Sequence, residues 1–200
     1  MLPLRKIGLT GGIASGKTAV AGFLRDSGVA VVDLDELGRA MTANDSALQR
    51  KLDRIAGGGL IGAHGFDRGK LRDRVFAKPK VRKGVEALLH PLILKKFENE
   101  AALMQKKGYP LVVCEAALLV ETGHYQKLDE LIVVVSPETS RRERLLARGM
   151  SETLIDQILS AQSGDAQKTK VATHILKNSG TLDDLRTGVK TIVDGWKKKS

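Results

Sequence analysis

The stretch GGIASGKT, residues Gly11–Thr18, matches the phosphate-binding pattern G-x-x-x-x-G-K-[ST], with both glycines, the lysine and the threonine at its fixed positions. The stretch Arg5–Leu9 before it, with the apolar run Ile7-Gly8-Leu9, predicts a short buried strand, and the residues after the loop predict a helix. In that context the loop N–H groups and the positive end of the helix point at an anion. Lys17 can then reach the terminal phosphates, and the Thr18 hydroxyl can ligate magnesium. The alternative is a glycine-rich turn that only joins strand to helix.

Composition indicates a soluble globular protein. The chain has 200 residues, of which 42% are hydrophobic and 28% charged, enough for one large domain or a domain with an inserted subdomain. No run approaches the roughly 18 apolar residues that a membrane span needs. Arg5-Lys6 leads directly into the strand and loop, unlike a signal peptide, and the single cysteine, Cys114, excludes an internal disulfide framework. We expect a cytoplasmic protein without a membrane attachment.

The charge balance predicts an anionic partner. The 33 Lys and Arg residues against 23 Asp and Glu residues give a net charge of +10, part of it in the tail Lys197–Lys199. A nucleotide, a nucleic acid or a phosphorylated small molecule would fit this charge. Aromatic residues make up only 4% of the chain, too few for a base-stacking surface, and no zinc or RNA-module signature occurs. We therefore expect a small-molecule substrate and no nucleic acid partner.

Apolar strands alternate with helical segments along the chain. The predicted strands are Arg5–Leu9, Val29–Val32, Leu111–Cys114, Leu131–Val135 and Thr173–Leu176. Continuously apolar strands separated by helices predict a parallel sheet covered on both faces. The fold class is thus α/β, a five-stranded parallel sheet with helices on both faces, as in P-loop nucleoside triphosphate hydrolases and kinases.

The segment 43–107 reads as helices without strands, punctuated at Pro79 and Pro91. We expect it to form a helical subdomain on the acceptor-substrate side, inserted into a nucleotide-binding core of residues 1–42 and 108–200. His90, directly before Pro91, is then expected at a helix junction, where it either points outward or caps a helix or forms a hydrogen bond in the interface.

Two acids follow the second predicted strand. Ligands of open parallel sheets bind outside the carboxyl ends of the strands, so Asp33 and Asp35 are expected to face the crevice beside the phosphate loop. A carboxylate there can accept the proton of an attacking hydroxyl or hold magnesium through water. Asp is also a common helix cap, which remains open for Asp33 and is favoured for Asp35. Glu115 and Glu121 lie just past the third strand, where they either assist in binding the metal or are ordinary surface acids.

Arg144 and Arg148 lie one helical turn apart, and Arg141 and Arg142 come just before them. Two guanidinium groups on one helix face can clamp a phosphate and neutralise the charge of a transition state. A solvated charged face is the ordinary alternative. Their position after the fourth strand of a phosphate-loop protein favours the clamp.

The chain resembles the dephospho-CoA kinase family in segments that run in order across nearly its whole length. They are GLTGGIASGKT (Gly8–Thr18), VVDLDELGR (Val31–Arg39), FDRGKLRDRVF (Phe66–Phe76), LLHPLI (Leu88–Ile93), ALLVE (Ala117–Glu121), VSPETSRRERLLAR (Val135–Arg148) and ILKNSGTLDDLR (Ile175–Arg186). The chain departs from the usual pattern at Ala14, where glycine is common, and at Ala117, where proline is common. Its lid segment is one residue shorter after Arg148.

The resemblance implies ATP-dependent phosphorylation of the ribose 3′-hydroxyl of dephospho-CoA with magnesium, the last step of CoA biosynthesis. The catalytic residues it implies are Asp33 as the base, Lys17, and Arg148 from a helical lid over about 138–165. The nucleotide-binding residues it implies are Gly11, Gly12, Ile13, Ala14, Ser15, Gly16, Lys17, Thr18, Arg144, Asn178 and Gly180. The acceptor-binding residues are Thr10, Asp33, Asp35, Arg39, Arg68, Arg72, Phe76, His90 and Pro91, and the metal-binding residue is Thr18.

Other functions remain open on the residues alone. The nearest alternative is another P-loop small-molecule or nucleoside kinase, followed by a nucleic-acid-stimulated NTPase. A GTP switch is not favoured, because no Asn-Lys-x-Asp stretch that would read guanine occurs. We expect a monomer or a weak homo-oligomer.

Overall fold

The computed structural model describes residues 3–162 and 164–198, and these divide into two compact units. The first unit holds the described residues up to Asp33 and from Glu100 onward, and the second unit is Leu34–Asn99. The sequence predicts these divisions after residues 42 and 107 instead. A helix begins at Leu34, directly after the second strand, and the predicted divisions stay a prediction. Lys199 of the basic tail and residue 163 of the predicted lid lie outside the described residues.

The strands and helices alternate along most of the chain. The strands are β1 (Arg5–Gly11), β2 (Ala30–Asp33), β3 (Ile61–Gly62), β4 (Gly65–Phe66), β5 (Leu111–Glu115), β6 (Glu130–Val135) and β7 (His174–Lys177). The helices are α1 (Lys17–Asp26), α2 (Leu34–Asn44), α3 (Ser46–Ala56), α4 (Arg68–Ala77), α5 (Pro79–Lys106), α6 (Glu138–Leu146), α7 (Glu152–Ala161), α8 (Asp165–Lys170) and α9 (Leu182–Lys197). A short 3₁₀ helix covers His124–Lys127.

The first unit is built on a five-stranded sheet in the order β2-β5-β1-β6-β7, with every pairing parallel. Helices cover both of its faces, so the predicted fold class is confirmed. The register places Leu9 of β1 and Asp33 of β2 level with Glu115 of β5, which lies between them. The phosphate loop follows β1, so the loop and both acids belong to the carboxyl edge of the sheet, where ligands bind.

Alternate strand residues form the main core of the first unit. Ile7 and Leu9 of β1, with Ile132 and Val134 of β6, are fully buried and pack with residues of α1 and α9. Strand side chains alternate between faces, so this period of two aims all four at the same helices. Each such side chain stabilises the fold by about 2 kcal/mol. Val133, which points the opposite way, is fully buried too, as expected when both faces are covered.

The second unit is mostly helical, and its core lies between α3 and α5. Leu48 and Leu52 of α3 pack with Val81 and Val85 of α5. Asp45 caps α3, since its carboxylate accepts hydrogen bonds from the first-turn amides.

Two expectations for this segment are wrong. β3 and β4 form a small antiparallel hairpin, with Ile61 opposite Phe66, where helices alone were expected. Strands of two residues are too short to show alternation in sequence. Pro91 lies inside α5 instead of breaking it, and His90 is therefore also within the helix. Pro91 cannot donate to the carbonyl of Ala87, and the helix continues past that missing bond.

Asp35 also differs from its favoured role as a cap. It lies in the first turn of α2, which begins one residue earlier at Leu34. A carboxylate in a first turn still interacts favourably with the positive end of the helix.

No helix within the two described ranges has both the length and the apolar character that crossing a membrane requires.

Candidate active site

The phosphate loop connects β1 to α1, as the pattern predicts. Gly16 has a φ of 104°, a left-handed conformation that favours glycine, and a Cβ there would lie 2.2 Å from Nδ2 of Asn178. Gly16 is also the cap of α1 and offers no side-chain hydrogen bond to the first turn. The amides at this helix start are therefore not covered by a capping side chain, as an anion-binding helix start requires.

Ala14 is the one residue other than glycine with a positive φ, 56°, among those the structure describes. It occupies the position where glycine is common in the family that the chain resembles. An L-residue in this conformation is strained by about 1–2 kcal/mol.

Lys17 folds back over the loop that precedes it. Its Nζ donates hydrogen bonds to the carbonyl oxygens of Gly11 at 2.9 Å and Gly12 at 3.2 Å. The ammonium group thus lies at the first residues of the loop, and the Thr18 side chain is exposed in the first turn of α1.

A cavity of about 380 Å³ opens beside the loop. It brings together nine residues of the predicted site with two others. The predicted ones are Ala14, Ser15, Gly16, Lys17, Thr18, Arg144, Arg148, Asn178 and Gly180, and the two others are Ala19 and Leu182. Two of the predicted lid arginines therefore share one cavity with the loop.

The two arginines hold different positions relative to α6. Arg144 is on the helix, and its Nη1 donates to the carbonyl oxygen of Ala14 at 2.9 Å and to Oγ of Ser136 at 3.2 Å. Arg148 lies just past the helix end, where its backbone N–H donates to the carbonyl of Leu145. Arg144 is thus fixed to the loop, whereas the Arg148 side chain is exposed at the cavity wall.

Asn178 joins β7 to the phosphate loop. Its Nδ2 donates to the carbonyl oxygen of Ser15 at 2.8 Å, and its own carbonyl accepts from Oγ of Ser136 at 2.9 Å. Asn178 and Ser15 are both buried. The side-chain amide of Asn178 therefore fixes the loop at Ser15. Gly180, two residues further along, lines the cavity.

Two further contacts hold the start of the loop, and sequence reasoning assigned no role to either residue. Oε1 of Gln162 accepts a hydrogen bond from the backbone N–H of Ile13 at 2.8 Å. The guanidinium of Arg141 lies so close to Gly12 that a Cβ there would be 2.0 Å from its Nη1. Gln162 carried no signal in the sequence, and Arg141 was visible only as a member of the arginine run.

Acids occur at the carboxyl edge of the sheet. Asp33 is the last residue of β2 and directly precedes α2, so its position suits both a base and a cap. Glu115 is the last residue of β5 and is only 6% exposed, which rules out a surface acid. Glu121 forms an ion pair with Lys168, whose side chain is fully buried. Glu121 is therefore committed to joining α8 to the segment after β5.

Thr10, predicted to contact the acceptor, is fully buried at the end of β1. Its hydroxyl donates to the carbonyl oxygen of Ala117 at 3.2 Å. This bond connects the residue before the phosphate loop to the segment after β5.

The other predicted acceptor residues belong to the second unit. Nη1 of Arg68 donates to the carbonyl of Arg39 at 2.9 Å, and Arg39 pairs with Glu36 at 2.6 Å. Arg72 is exposed beside Asp73, Phe76 is half-buried on α4, and His90 is half-buried on α5. Within this unit the structure brings Arg39 and Arg68 together.

The described part of the chain contains no cluster of three or more His, Cys, Asp or Glu side chains that could hold a metal. The Thr18 hydroxyl at the cavity wall is a hard oxygen ligand of the kind that magnesium accepts, with phosphates and water completing the shell.

A parallel sheet, a phosphate loop between β1 and α1, and arginines that face this loop define the class of phosphate-loop kinases. The family model described as dephospho-CoA kinase matches residues 5–184. A relative named dephospho-CoA kinase from Bordetella pertussis is 38% identical over 196 residues, 96% of this chain and 90% of the relative. Another with that name from Thiobacillus denitrificans is 40% identical over 186 residues, with coverages of 92% and 91%. The chain therefore belongs to the dephospho-CoA kinase family.

Solved structures share the fold of this chain. One from Thermus thermophilus superposes with a TM-score of 0.83 at 32% identity, covering 97% of this chain and 98% of the other. A shikimate kinase from Acinetobacter baumannii has a TM-score of 0.51 at 13% identity, covering 98% and 95% of the two chains. That second likeness concerns the fold alone.

Proposed function

We propose that this chain transfers the terminal phosphate of ATP to the ribose 3′-hydroxyl of dephospho-CoA, giving CoA and ADP. The observation that carries the proposal is the cavity in which Lys17, Thr18, Arg144 and Arg148 converge beside the phosphate loop. Family membership directs the proposal to this acceptor.

The loop and the arginines hold the triphosphate. The first-turn amides of α1 bind the inner phosphates, and Lys17 turns from the loop carbonyls towards the outer ones. Arg144 keeps its contact with Ala14 and borders the phosphates, while the exposed Arg148 closes over the transferring group. Asn178 and Gly180 lie on the side of the cavity where the adenine binds.

Thr18 and the buried acid at the end of β5 are the groups that would hold magnesium. Thr18 would ligate it directly, and Glu115 would bind it through water. When bound, the ion neutralises charge that develops on the outer phosphates.

Asp33 receives the proton of the acceptor hydroxyl. Its place at the carboxyl edge, one strand beyond Glu115, is where a ligand of a parallel sheet is expected. The further acceptor-binding residues that the resemblance implies are Asp35, Arg39, Arg68, Arg72, Phe76, His90 and Pro91, and the arginines among them suit the diphosphate of dephospho-CoA. Thr10 is buried and acts indirectly, because its hydroxyl fixes the segment after β5 at Ala117. A cytoplasmic location and a monomeric or weakly oligomeric state stay predictions.

A panel of hydroxyl acceptors tests the proposal. ADP release with ATP should depend on dephospho-CoA and should yield a product with a 3′-phosphate, detected by mass spectrometry. Nucleosides, shikimate and sugars should support at most about 1% of that rate, since even apolar pockets discriminate by about a hundredfold and hydrogen-bonding sites by about 10⁴-fold or more. A faster rate with another acceptor would assign the chain to a different small-molecule kinase. ADP release that nucleic acid stimulates without any acceptor would reject the kinase assignment.

A further inference from the structure

Arg141, the first arginine of the run on α6, is buried against the phosphate loop. Its side chain is 12% exposed, and its Nη1 occupies the space that a Cβ on Gly12 would need. Gly12 has no positive φ that would require glycine. A side chain at position 12 would therefore displace the guanidinium that lies beside Gly12.

The hydrogen-bonding capacity of Arg141 is mostly unused by the described residues. Its Nε is buried and has no hydrogen-bond partner within them, and the carboxylate that pairs with it, from Asp165, lies 3.7 Å from Nη1. A separation of 3.7 Å is too long for a hydrogen bond. A buried guanidinium with unused donors is costly unless an anion completes its shell.

The point at which Arg141 contacts the phosphate loop indicates which anion would bind its guanidinium. The ammonium of Lys17, the group that reaches the outer phosphates in such loops, lies 3.2 Å from the carbonyl oxygen of Gly12. Arg141 meets the loop at the same residue. Arg144 instead meets it at Ala14, among the residues that line the cavity. Arg141 therefore belongs to the outer-phosphate end of the loop.

Gln162 keeps this end of the loop in place. Its Oε1 holds the N–H of Ile13 and lies 3.6 Å from the Cβ position of Gly12. The loop start is thus fixed between one amide and one guanidinium, both from the segment that follows β6.

We propose that Arg141 contacts the γ-phosphate of ATP and is a third arginine of the phosphate clamp, beside Arg144 and Arg148. Its contact adds a positive charge where negative charge develops during transfer. Because ADP has no γ-phosphate, Arg141 distinguishes ATP from ADP. This inference rests on the nucleotide-binding role proposed above.

The test measures ATP and ADP affinity by calorimetry, together with dephospho-CoA-dependent ADP release. Arg141→Gln removes the charge and should weaken ATP binding by about tenfold to hundredfold, the range for a hydrogen bond to a charged group. ADP affinity should stay within about twofold of the wild-type value, because ADP has no γ-phosphate and the loop that binds its phosphates is unchanged. Arg141→Lys should recover part of the loss, since it restores the charge without the planar fork.

Two further variants control for structure. Arg142→Gln removes the neighbouring arginine, which pairs with Glu138 and Asp156, and should leave both affinities and the rate unchanged. Gly12→Ala leaves Arg141 in the sequence but places a methyl group where its guanidinium lies, so the guanidinium must move. This variant should reproduce the selective loss of ATP affinity.

The outcomes separate the inference from the function. Selective loss of ATP affinity in both Arg141→Gln and Gly12→Ala supports the contact. Equal loss of ATP and ADP affinity, or no loss in Arg141→Gln, overturns it while the proposed function stands. A wild-type chain that binds neither nucleotide overturns both.

Discussion

Single residues decide how the phosphate loop is shaped. Ala14 adopts a left-handed conformation with a φ of 56°, although it carries a Cβ. Its carbonyl is held by Arg144, and the carbonyl of the next residue is held by Asn178. The strain at Ala14 therefore persists because side chains distant in sequence fix the loop on both sides.

Replacing Ala14 with glycine should raise the free energy of unfolding by about 1 kcal/mol. Relief of the left-handed strain outweighs the greater freedom that glycine gives the unfolded chain. Urea denaturation of the two proteins measures the difference. As a matched control, Ala40→Gly on the exposed side of α2 should lower stability by about 1 kcal/mol. An Ala14→Gly variant with a lower free energy of unfolding than wild type would contradict the proposed strain at Ala14.

At the scale of elements, one carboxylate joins four pieces of the first unit. Glu130 at the start of β6 accepts hydrogen bonds from Nε2 of His174 on β7 at 2.7 Å and Nε1 of Trp196 on α9 at 2.9 Å. It also pairs with Arg5 at the start of β1. Burial alone would raise the pKa of Glu130, but the hydrogen bonds from Trp196 and His174, with the charge of Arg5, hold the pKa below its ordinary value.

Glu130→Gln should therefore lower stability at neutral pH, by about 1.5–3 kcal/mol for hydrogen bonds to a charged group. Because the pKa is lower in the folded state, the carboxylate contributes fully above its ordinary value of 4.5. The contribution falls as the pH drops below that value and through the folded pKa. The stability gap between wild type and variant should shrink accordingly, measured by urea denaturation from pH 7 to 3. Glu143→Gln, at an exposed position, is the control, and a constant gap for Glu130→Gln would refute the linkage.

The sequence predicts long elements better than short ones. The strands β5 and β6 contain continuous apolar runs that are buried on both faces of the sheet, and such runs predict buried parallel strands. The β3–β4 hairpin has strands of two residues and leaves no such pattern. Pro91 was expected to break a helix, yet α5 continues through it, with Val85 before it and Phe97 after it both buried.

At the scale of the whole molecule, the site depends on contacts between residues far apart in sequence. Gln162 holds Ile13 across 149 positions, and Asn178 holds Ser15 across 163. The phosphate pattern predicts the loop, and the arginine run predicts the clamp, because each lies within a few consecutive residues. No local pattern predicts which amide closes onto the loop, since only the folded sheet places β1 beside β6 and β7 on the far side of β6.

The structure shows where some of the basic residues behind the net charge of +10 lie. Lys17, Arg144 and Arg148 line one cavity, and Arg141 lies at the loop start beside it. These four of the 33 Lys and Arg residues therefore lie where a triphosphate would bind.

The central claim is that the phosphate loop holds ATP while Asp33, one strand beyond Glu115, accepts the proton of a sugar hydroxyl. The most direct measurement compares wild type with Asp33→Asn for ATP affinity and for the rate of dephospho-CoA phosphorylation. We predict unchanged ATP affinity and a rate lower by about 10²–10⁴-fold, the contribution of a general base. Asp26→Asn, at the exposed end of α1, should retain both. Near-wild-type phosphorylation by Asp33→Asn would contradict the account.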